Sequence, residues 1–397
     1  MEDVNYDKSY AFILFLSICL FATALFFQSC SNEVSQQDTY CMNVEKIEDS
    51  VSFHQLVDSY EYIQLEKNDK CLIGKVEQLV VKDNLIYVLS DGIYCFNMDG
   101  SHRFSINQKG HSAREYTHLK TISISDDLLC AYDDFQWKLM FFNKNDGKFV
   151  KSVKLPWSTC VEGIYVYGDY LIADRGFLPN DDAIYDERFL VYKIDDLSSV
   201  IARYSLENYK VVFLGDVSYS ENGLLYSSVV HNELWRITPN GMSKYFFLEC
   251  PESMSLTESE KELMSMDYYA IPEDEQANKL IILSNLHENK QFITGRCCYK
   301  KQFVNLVYDK KSGKHHIFTD VYDCDSWIYS PVDIISADND YFYSVLLGET
   351  ACFIKRYCDI GEAPKTGDVD KKSYEIYRSI KEDDNPIVVR YKFKNIE

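Results

Sequence analysis

Short apolar runs alternate with turn-forming clusters along most of this chain. In VKDNLIYVLSDGIYCFNMDG, residues 81–100, apolar runs end at Lys82-Asp83-Asn84, at Ser90-Asp91-Gly92 and at Met98-Asp99-Gly100. That pattern predicts three short strands joined by tight turns. It recurs. The aligned copies are VKDNLIYVL (81–89), ISDDLLCAY (124–132), VYGDYLIAD (166–174), YSENGLLYS (219–227), LHENKQFIT (286–294) and SADNDYFYS (336–344). Each has a turn of Asp, Asn, Gly or Glu type, then a strand rich in Leu, Ile, Tyr or Phe. Such turn residues tolerate positive φ or bond their own backbone. A second turn marks the far end of most copies: Asp99-Gly100, Asp146-Gly147, Asp195-Asp196, Asn240-Gly241 and Ser312-Gly313.

Each copy therefore reads as a four-stranded antiparallel meander of about forty residues, the period of a propeller blade. One such sheet cannot bury both of its faces. Stacking sheets radially around an axis buries them and leaves only short edges. The expected fold is all-β, a six-bladed β-propeller over residues 51–397. The last blade has only three strands of its own: PVDIISA (331–337), YFYSVL (341–346) and NPIVVRYKFK (385–394). The early strand Tyr60–Leu65, within SYEYIQLE, is expected to supply the fourth and close the ring. Two helical inserts are expected near 252–270, behind a Thr257-x-x-Glu260 capping signal, and near 370–384.

The N-terminus is a different kind of sequence. Residues 11–27, AFILFLSICLFATALFF, carry no charge and lead into Gln28-Ser29-Cys30. An apolar run ending in a small residue and a Cys reads as a lipoprotein signal peptide over 1–30, with Cys30 as the lipidated residue. An uncleaved membrane anchor is the alternative. Either places the rest of the chain outside the cytoplasm. Ser31, rather than Asp, points to the outer membrane in a Gram-negative cell; which side holds the lipid is left open. Residues 31–50 read as a polar linker.

Composition narrows the partners. The net charge is −21, with 15% aromatic residues. Nucleic acid needs a basic footprint, so no nucleic-acid partner is expected. The thirteen Cys include no C-x-x-C and no zinc spacing. Several lie inside strand patterns such as IYCFN and LLCAY, where Cys behaves as a small apolar residue. No nucleophile elbow, zinc-protease helix, phosphate loop or dinucleotide fingerprint is present. Asp181-Asp182 and Asp320–Asp325 lack calcium-loop spacing. No catalytic or metal-ligating residue is assigned.

Topology supplies the candidate site. In a meander blade, the loops between strands two and three share one face with the loops entering each blade. On that face fall Asp134, Trp137, Asp174, Arg175, His231 and Arg296 from the inner loops, beside Asp91, Asp133 and Tyr299. Arg114, Tyr116, Trp157 and Trp327 come from the entry loops. Flat aromatic faces with fixed hydrogen-bonding groups are what a sugar or peptide site needs.

The Ser29-Cys30 end, YEYIQLE, IYVLSDGIYCFNMDGS and EDDNPIVVRYKFK together resemble the six-bladed β-propeller lipoproteins of Bacteroides-type bacteria, similar in shape to NHL-repeat propellers. In QKGHSAREY (108–116), Gly110 and Glu115-Tyr116 remain of that family's Gly-rich segment. The resemblance implies the propeller fold and an envelope location, and it implies no reaction. The leading expectation is a non-enzymatic envelope lipoprotein. Its partners would be the membrane, through its lipid, and a small ligand or a protein at the propeller mouth, such as a glycan or peptide in nutrient uptake. The alternatives are a lyase or hydrolase with a metal in the central channel, and a scaffold subunit of an outer-membrane complex.

Overall fold

A computed structural model of the protein describes residues 39–155, 161–175, 187–204, 217–227, 232–266, 271–272, 275, 278–322, 333–352 and 379–397. Strands β1 (Tyr40–Asn43) and β2 (Glu48–Ser52) come first, then a one-turn helix α1 (Phe53–Leu56) and β3 (Val57–Gln64). Blade one follows as β4 (Gln78–Lys82), β5 (Leu85–Leu89), β6 (Ile93–Asn97) and β7 (His102–Ile106). Blade two is β8 (Leu119–Ile124), β9 (Leu128–Asp133), β10 (Lys138–Asn143) and β11 (Phe149–Lys154). Blade three is β12 (Gly163–Tyr167), β13 (Tyr170–Asp174), β14 (Phe189–Lys193) and β15 (Asp196–Tyr204). Blade four is β16 (Val217–Ser220), β17 (Gly223–Ser227), β18 (Glu233–Thr238) and β19 (Gly241–Glu249). After helix α2 (Glu258–Met266), blade five is β20 (Ile281–Glu288), β21 (Phe292–Tyr299), β22 (Gln302–Asp309) and β23 (His315–Tyr322). Blade six is β24 (Ser336–Ala337), β25 (Phe342–Leu346) and β26 (Ile387–Phe393), completed by β3.

The six expected blades are thus present, each antiparallel and in meander order. The second strands read as unbroken apolar runs because both of their faces are covered. Every residue of β5, for example, is buried. One side of blade one packs Tyr87, Leu89 and Cys95 against Ile122, Leu129 and Met140 of blade two. Its other side packs Ile86, Val88 and Phe96 against Ile63 of β3. Outer strands such as β11 are only partly covered and carry the charged residues. Side chains also stand in for missing backbone partners between innermost strands. Gln78 bonds both N–H (2.8 Å) and C=O (3.0 Å) of Ile122, and Ser123 accepts the N–H of Val166 at 2.8 Å.

Ring closure takes the expected form. β3 pairs antiparallel with β26, from Gln64 opposite Ile387 to Val57 opposite Phe393. Buried Asn385 fastens the seam. Its amide donates to the carbonyls of Glu66 (2.7 Å) and Cys71 (2.9 Å), and its oxygen accepts the N–H of Ile73 at 2.8 Å.

The expected polar linker over 31–50 needs a correction from Tyr40 onward. β1 lies parallel to β19 and β2 parallel to β23, so blades four and five each gain a fifth, outermost strand. Neither YCMN nor EDSVS carries an alternating apolar pattern. The open backbone edges of β19 and β23 recruit them. Helix α2 begins at the expected capping box: Glu260 accepts the Thr257 N–H at 2.6 Å, and Thr257 accepts that of Glu260 at 3.2 Å. Most of the expected helix over 370–384 lies outside the described residues. The eight described cysteines are free, and Cys71, Cys95, Cys130, Cys297 and Cys352 are buried. Burial pushes the Cys95 thiol up to about 12, which makes it a packing group rather than a nucleophile.

Two hairpins use two-residue turns with both central residues at positive φ. Asp83 (51°) and Asn84 (59°) suit that geometry, whereas Lys300 (51°) and Lys301 (61°) do not. Positive φ at a residue with a long side chain costs about 1–2 kcal/mol. The double substitution Lys300→Asn, Lys301→Gly is therefore expected to raise the urea midpoint, by roughly 1–2 kcal/mol of stability. A lowered midpoint would mean that the two lysine side chains contribute more than the turn strain removes.

Candidate functional site

Among the described residues, the face that carries the blade-entry loops and the loops between second and third strands can be followed over blades one and two. Its anchor is Asp133, fully buried at the end of β9. The carboxylate accepts the Thr117 N–H (2.7 Å) and hydroxyl (2.9 Å), the Gln136 N–H (3.1 Å) and the Gln136 side-chain amide (2.7 Å). Gln136 also donates to the Gly110 carbonyl at 3.0 Å. Lys138 reaches from β10 to the carbonyls of Ser112 (3.0 Å) and Glu115. Glu115 in turn accepts the Ser112 N–H at 3.0 Å. A Cβ on Gly110 would lie 2.2 Å from a Glu115 carboxylate oxygen, so a side chain here would have to displace that carboxylate from the Ser112 N–H.

This clamp fixes the loop Asp134–Trp137, and the loop turns its aromatics outward. Phe135 is 74% exposed and Trp137 39% exposed. Trp137 also holds φ at 49°, an outlier for a bulky side chain. His118 stacks on Phe135 with ring centroids 4.9 Å apart, and its Nδ1 lies 2.7 Å from the Asp134 carboxylate. Beside this shelf runs a groove of about 660 Å³ between blades one and two, whose lining includes Lys75, Glu77, Asp91, Lys109, His118 and Lys120. Large exposed aromatics on a loop that cannot relax are unfavourable in water and well suited to stacking on a ligand.

A second hollow lies on the propeller axis. It measures about 530 Å³ and is walled by the innermost strands β4, β12, β16, β20 and β24. Tyr165, Tyr219 and aliphatic side chains make up much of the wall, with Ser218, Asn285, His287, Arg296 and Asp333 among its polar groups. Arg296 bonds Asp333 at 2.8 Å and Asn305 at 3.2 Å, and its guanidinium lies 5.5 Å over Phe303. Burial pulls the His287 imidazole down to about 4, against the opposing effect of its bond to the Ile334 backbone. The ring is therefore neutral near pH 7. Among the described residues no three His, Cys, Asp or Glu side chains converge as metal ligands.

The structure divides the expected residues. Arg114, Tyr116, Asp134 and Trp137 fall together on the mouth of blades one and two. Arg114 is exposed, 5.6 Å over Phe149. Tyr116 is buried and donates to the Asp91 carbonyl at 2.9 Å, so it supports the groove from beneath. Asp174 is buried in an ion pair with Arg188 at 3.0 Å, and the Arg188 guanidinium lies 4.3 Å over Tyr226 of blade four. It ties blades together rather than facing solvent. Arg175 sits at the same loop, its N–H on the Arg188 carbonyl. Arg296 stands within β21, toward the channel. Cys30, Trp157, His231 and Trp327 lie outside the described residues. His118, Phe135, Gln136 and Lys138 complete the mouth and were not among the expected residues. The local string DDFQWK, a polar turn holding two aromatics, gives a sequence signal for the last three but not for His118.

Six four-stranded blades around a central hollow define a six-bladed β-propeller. The chain belongs to the family described as a domain of unknown function, DUF4934, whose model matches residues 39–392. Among solved structures, a protein of Bacteroides fragilis designated as exported shares the fold. Its TM-score is 0.72 at 16% identity, with 89% of this chain and all of that one covered. An inactive variant of the virginiamycin B lyase of Staphylococcus aureus, solved with quinupristin, reaches a TM-score of 0.38 at 14% identity, over 72% of this chain and 82% of that one. A likeness that loose brings no chemistry here. No curated protein matches the sequence.

Proposed function

We propose that this chain is an exported binding protein, held to the envelope by a lipid on Cys30, whose propeller mouth captures a glycan or peptide. One observation carries the binding reading: the Asp133 clamp holds Phe135 and Trp137 exposed on a fixed loop beside a groove. A rigid aromatic shelf binds without losing further conformational entropy, the property of an interface hot spot. The groove carries Lys75, Lys109 and Lys120 with Glu77 and Asp91, so hydrogen-bonding groups of both charges flank the shelf. The envelope location is supported by the apolar run ending at Ser29-Cys30 and by the exported designation of the Bacteroides fragilis protein.

The test is a glycan and peptide array probed with the full-length protein in detergent. Any hit is then titrated against Phe135→Ala and Trp137→Ala. Each variant is expected to weaken binding by at least about tenfold, the usual worth of a stacked aromatic anchor. Wild-type affinity in both would rule out the mouth of blades one and two as the binding surface.

A further inference from the structure

We infer that the propeller rests on an anionic membrane surface by one corner, the hairpin turns of blade five, and so holds the Phe135–Trp137 shelf on the side away from the lipid. The inference rests on the proposed membrane anchor and does not depend on which ligand the shelf takes. Three observations converge on it.

The first is where the anchored end of the chain joins the ring. Met42 and Val44 are fully buried and fix β1 to blade four. β1 pairs parallel with β19, and β19 runs from the turn at Asn240-Gly241 toward the mouth. The chain therefore passes Tyr40 heading away from the turn face. Between Cys30 and Tyr40 it can span at most about 35 Å, so the outer edge of blade four stays close to the anchor.

The second is charge. The hairpin turns of the face opposite the mouth all lie among the described residues, so their charges can be read turn by turn. In blade five, Lys290, Lys311 and Lys314 are exposed on these turns and form no ion pair. Lys394 lies beside them and donates to the His54 carbonyl at 2.7 Å. The segments are joined: the Lys310 N–H bonds the Gln291 carbonyl at 2.8 Å, and the Gln291 amide bonds Asn395 at 2.6 Å. Of the nearby acids, Asp309 is buried and accepts the Lys311 N–H (2.9 Å) and the Ser312 hydroxyl (3.0 Å), while Asp338 accepts from Tyr343. Asp340 and Glu397 remain exposed. Four cations on one corner stand out in a chain of net charge −21. On blades one to three the same face exposes Asp99, Asp127, Asp169, Asp195 and Asp196, while Lys144 and Lys148 are held by Asp83 and Asp146. Anionic headgroups attract the first region and repel the second, which tilts the ring onto blade five.

The third is ring order. Blades pack on their neighbours in chain order, four on five and six on one, so blades one and two stand across the axis from four and five. The shelf thus lies on the opposite face and on the opposite side of the ring from the basic corner.

The test uses the full-length protein in vesicles of phosphatidylcholine alone, or of equal parts phosphatidylcholine and phosphatidylglycerol, with a quencher on the lipid headgroups. A fluorescent amino acid replaces either Ser312, on the blade-five turn, or Ala113, at the mouth of blades one and two. In the anionic vesicles the Ser312 label is expected to be quenched and the Ala113 label spared. Each lysine adds about fivefold to the preference for an anionic surface, so Lys290→Gln, Lys311→Gln and Lys314→Gln together should remove the difference between the labels. Salt at about 1 M should do the same to the wild-type lysines by screening them. Vesicles of phosphatidylcholine alone should also lose the difference. Equal quenching of the two labels in anionic vesicles overturns the inference. So does Ser312 quenching that neither the triple variant nor salt reduces. The intact mass of the same preparation reports the anchor separately: a mass without lipid refutes modification of Cys30, and the two labels still decide the orientation.

Discussion

Glu288→Ala is expected to destabilise the protein by about 3–5 kcal/mol, the measured range for breaking a buried ion pair from one side. Glu288 ends the innermost strand of blade five and is buried. Its carboxylate accepts from Arg236, from Ser220 Oγ at 2.8 Å and from Tyr245 Oη at 2.8 Å, with Lys310 at 3.5 Å. Arg236, Ser220 and Tyr245 belong to blade four, so this one side chain joins two blades. The Arg236 guanidinium lies 3.6 Å over the Tyr245 ring and is itself buried. Lys310 is already held below its ordinary range by desolvation, with Glu288 opposing that effect. Removing the carboxylate strands two buried cations, and Lys310 loses the interaction that opposes its desolvation. Glu288→Gln keeps hydrogen-bonding capacity and should cost less than Glu288→Ala. Replacing Glu288, Arg236 and Lys310 together with Met should recover much of the loss, because apolar side chains of similar volume need no counter-ion. Urea unfolding of the four proteins decides the matter. A Glu288→Ala midpoint equal to wild type would show that water reaches the cluster.

Gly100→Ala is expected to cost a similar amount, through backbone geometry. Gly100 ends the outer turn of blade one with φ at 85°. A Cβ there would lie 2.1 Å from the Gln64 carbonyl oxygen. That carbonyl belongs to β3, the strand that closes the ring, and the Glu66 N–H bonds the Gly100 carbonyl at 2.8 Å. Neither backbone can yield without parting the closing strand from blade one. The cost is on the order of 3–5 kcal/mol, the upper range of single substitutions. Amide exchange should also rise selectively in β3 and β26, since local opening follows the weakened element. Gly241→Ala is the control, because nothing lies within 4 Å of its added Cβ. Equal midpoints for the two variants would contradict this account of the seam.

The parts of the fold that sequence reveals are those with local causes. The hairpin at Asp83-Asn84 is visible because two residues that tolerate positive φ stand between two apolar runs. The start of α2 is visible because Thr257 and Glu260 satisfy each other three residues apart. Closure by β3 is visible by subtraction, since the last copy lacks a strand and SYEYIQLE has no blade of its own. β1 and β2 leave no such trace. Their pairing rests on backbone edges that exist only once blades four and five have formed.

The candidate sites divide along the same line. Trp137, Asp134, Arg114 and Tyr116 could be placed on one face because strand order alternates the loop faces. That Tyr116 and Asp174 are buried while Phe135 is exposed could not be read from their types. Asp174 and Arg188 are drawn inward by each other and by Tyr226, a ring on the next blade. Glu288 meets Arg236 across 52 positions of chain.

By itself, then, the sequence determined the number of blades, their strand and turn positions, the closing strand and the face on which loops gather. These follow from short apolar runs and from turn residues, both properties of a few neighbouring positions. The tertiary structure alone decided which polar groups are buried, which aromatics remain exposed, and that Arg296 and Asp333 pair beside the central hollow. Those depend on distances between blades, and a strand pattern repeated six times contains no information about which repeat will stand beside which side chain.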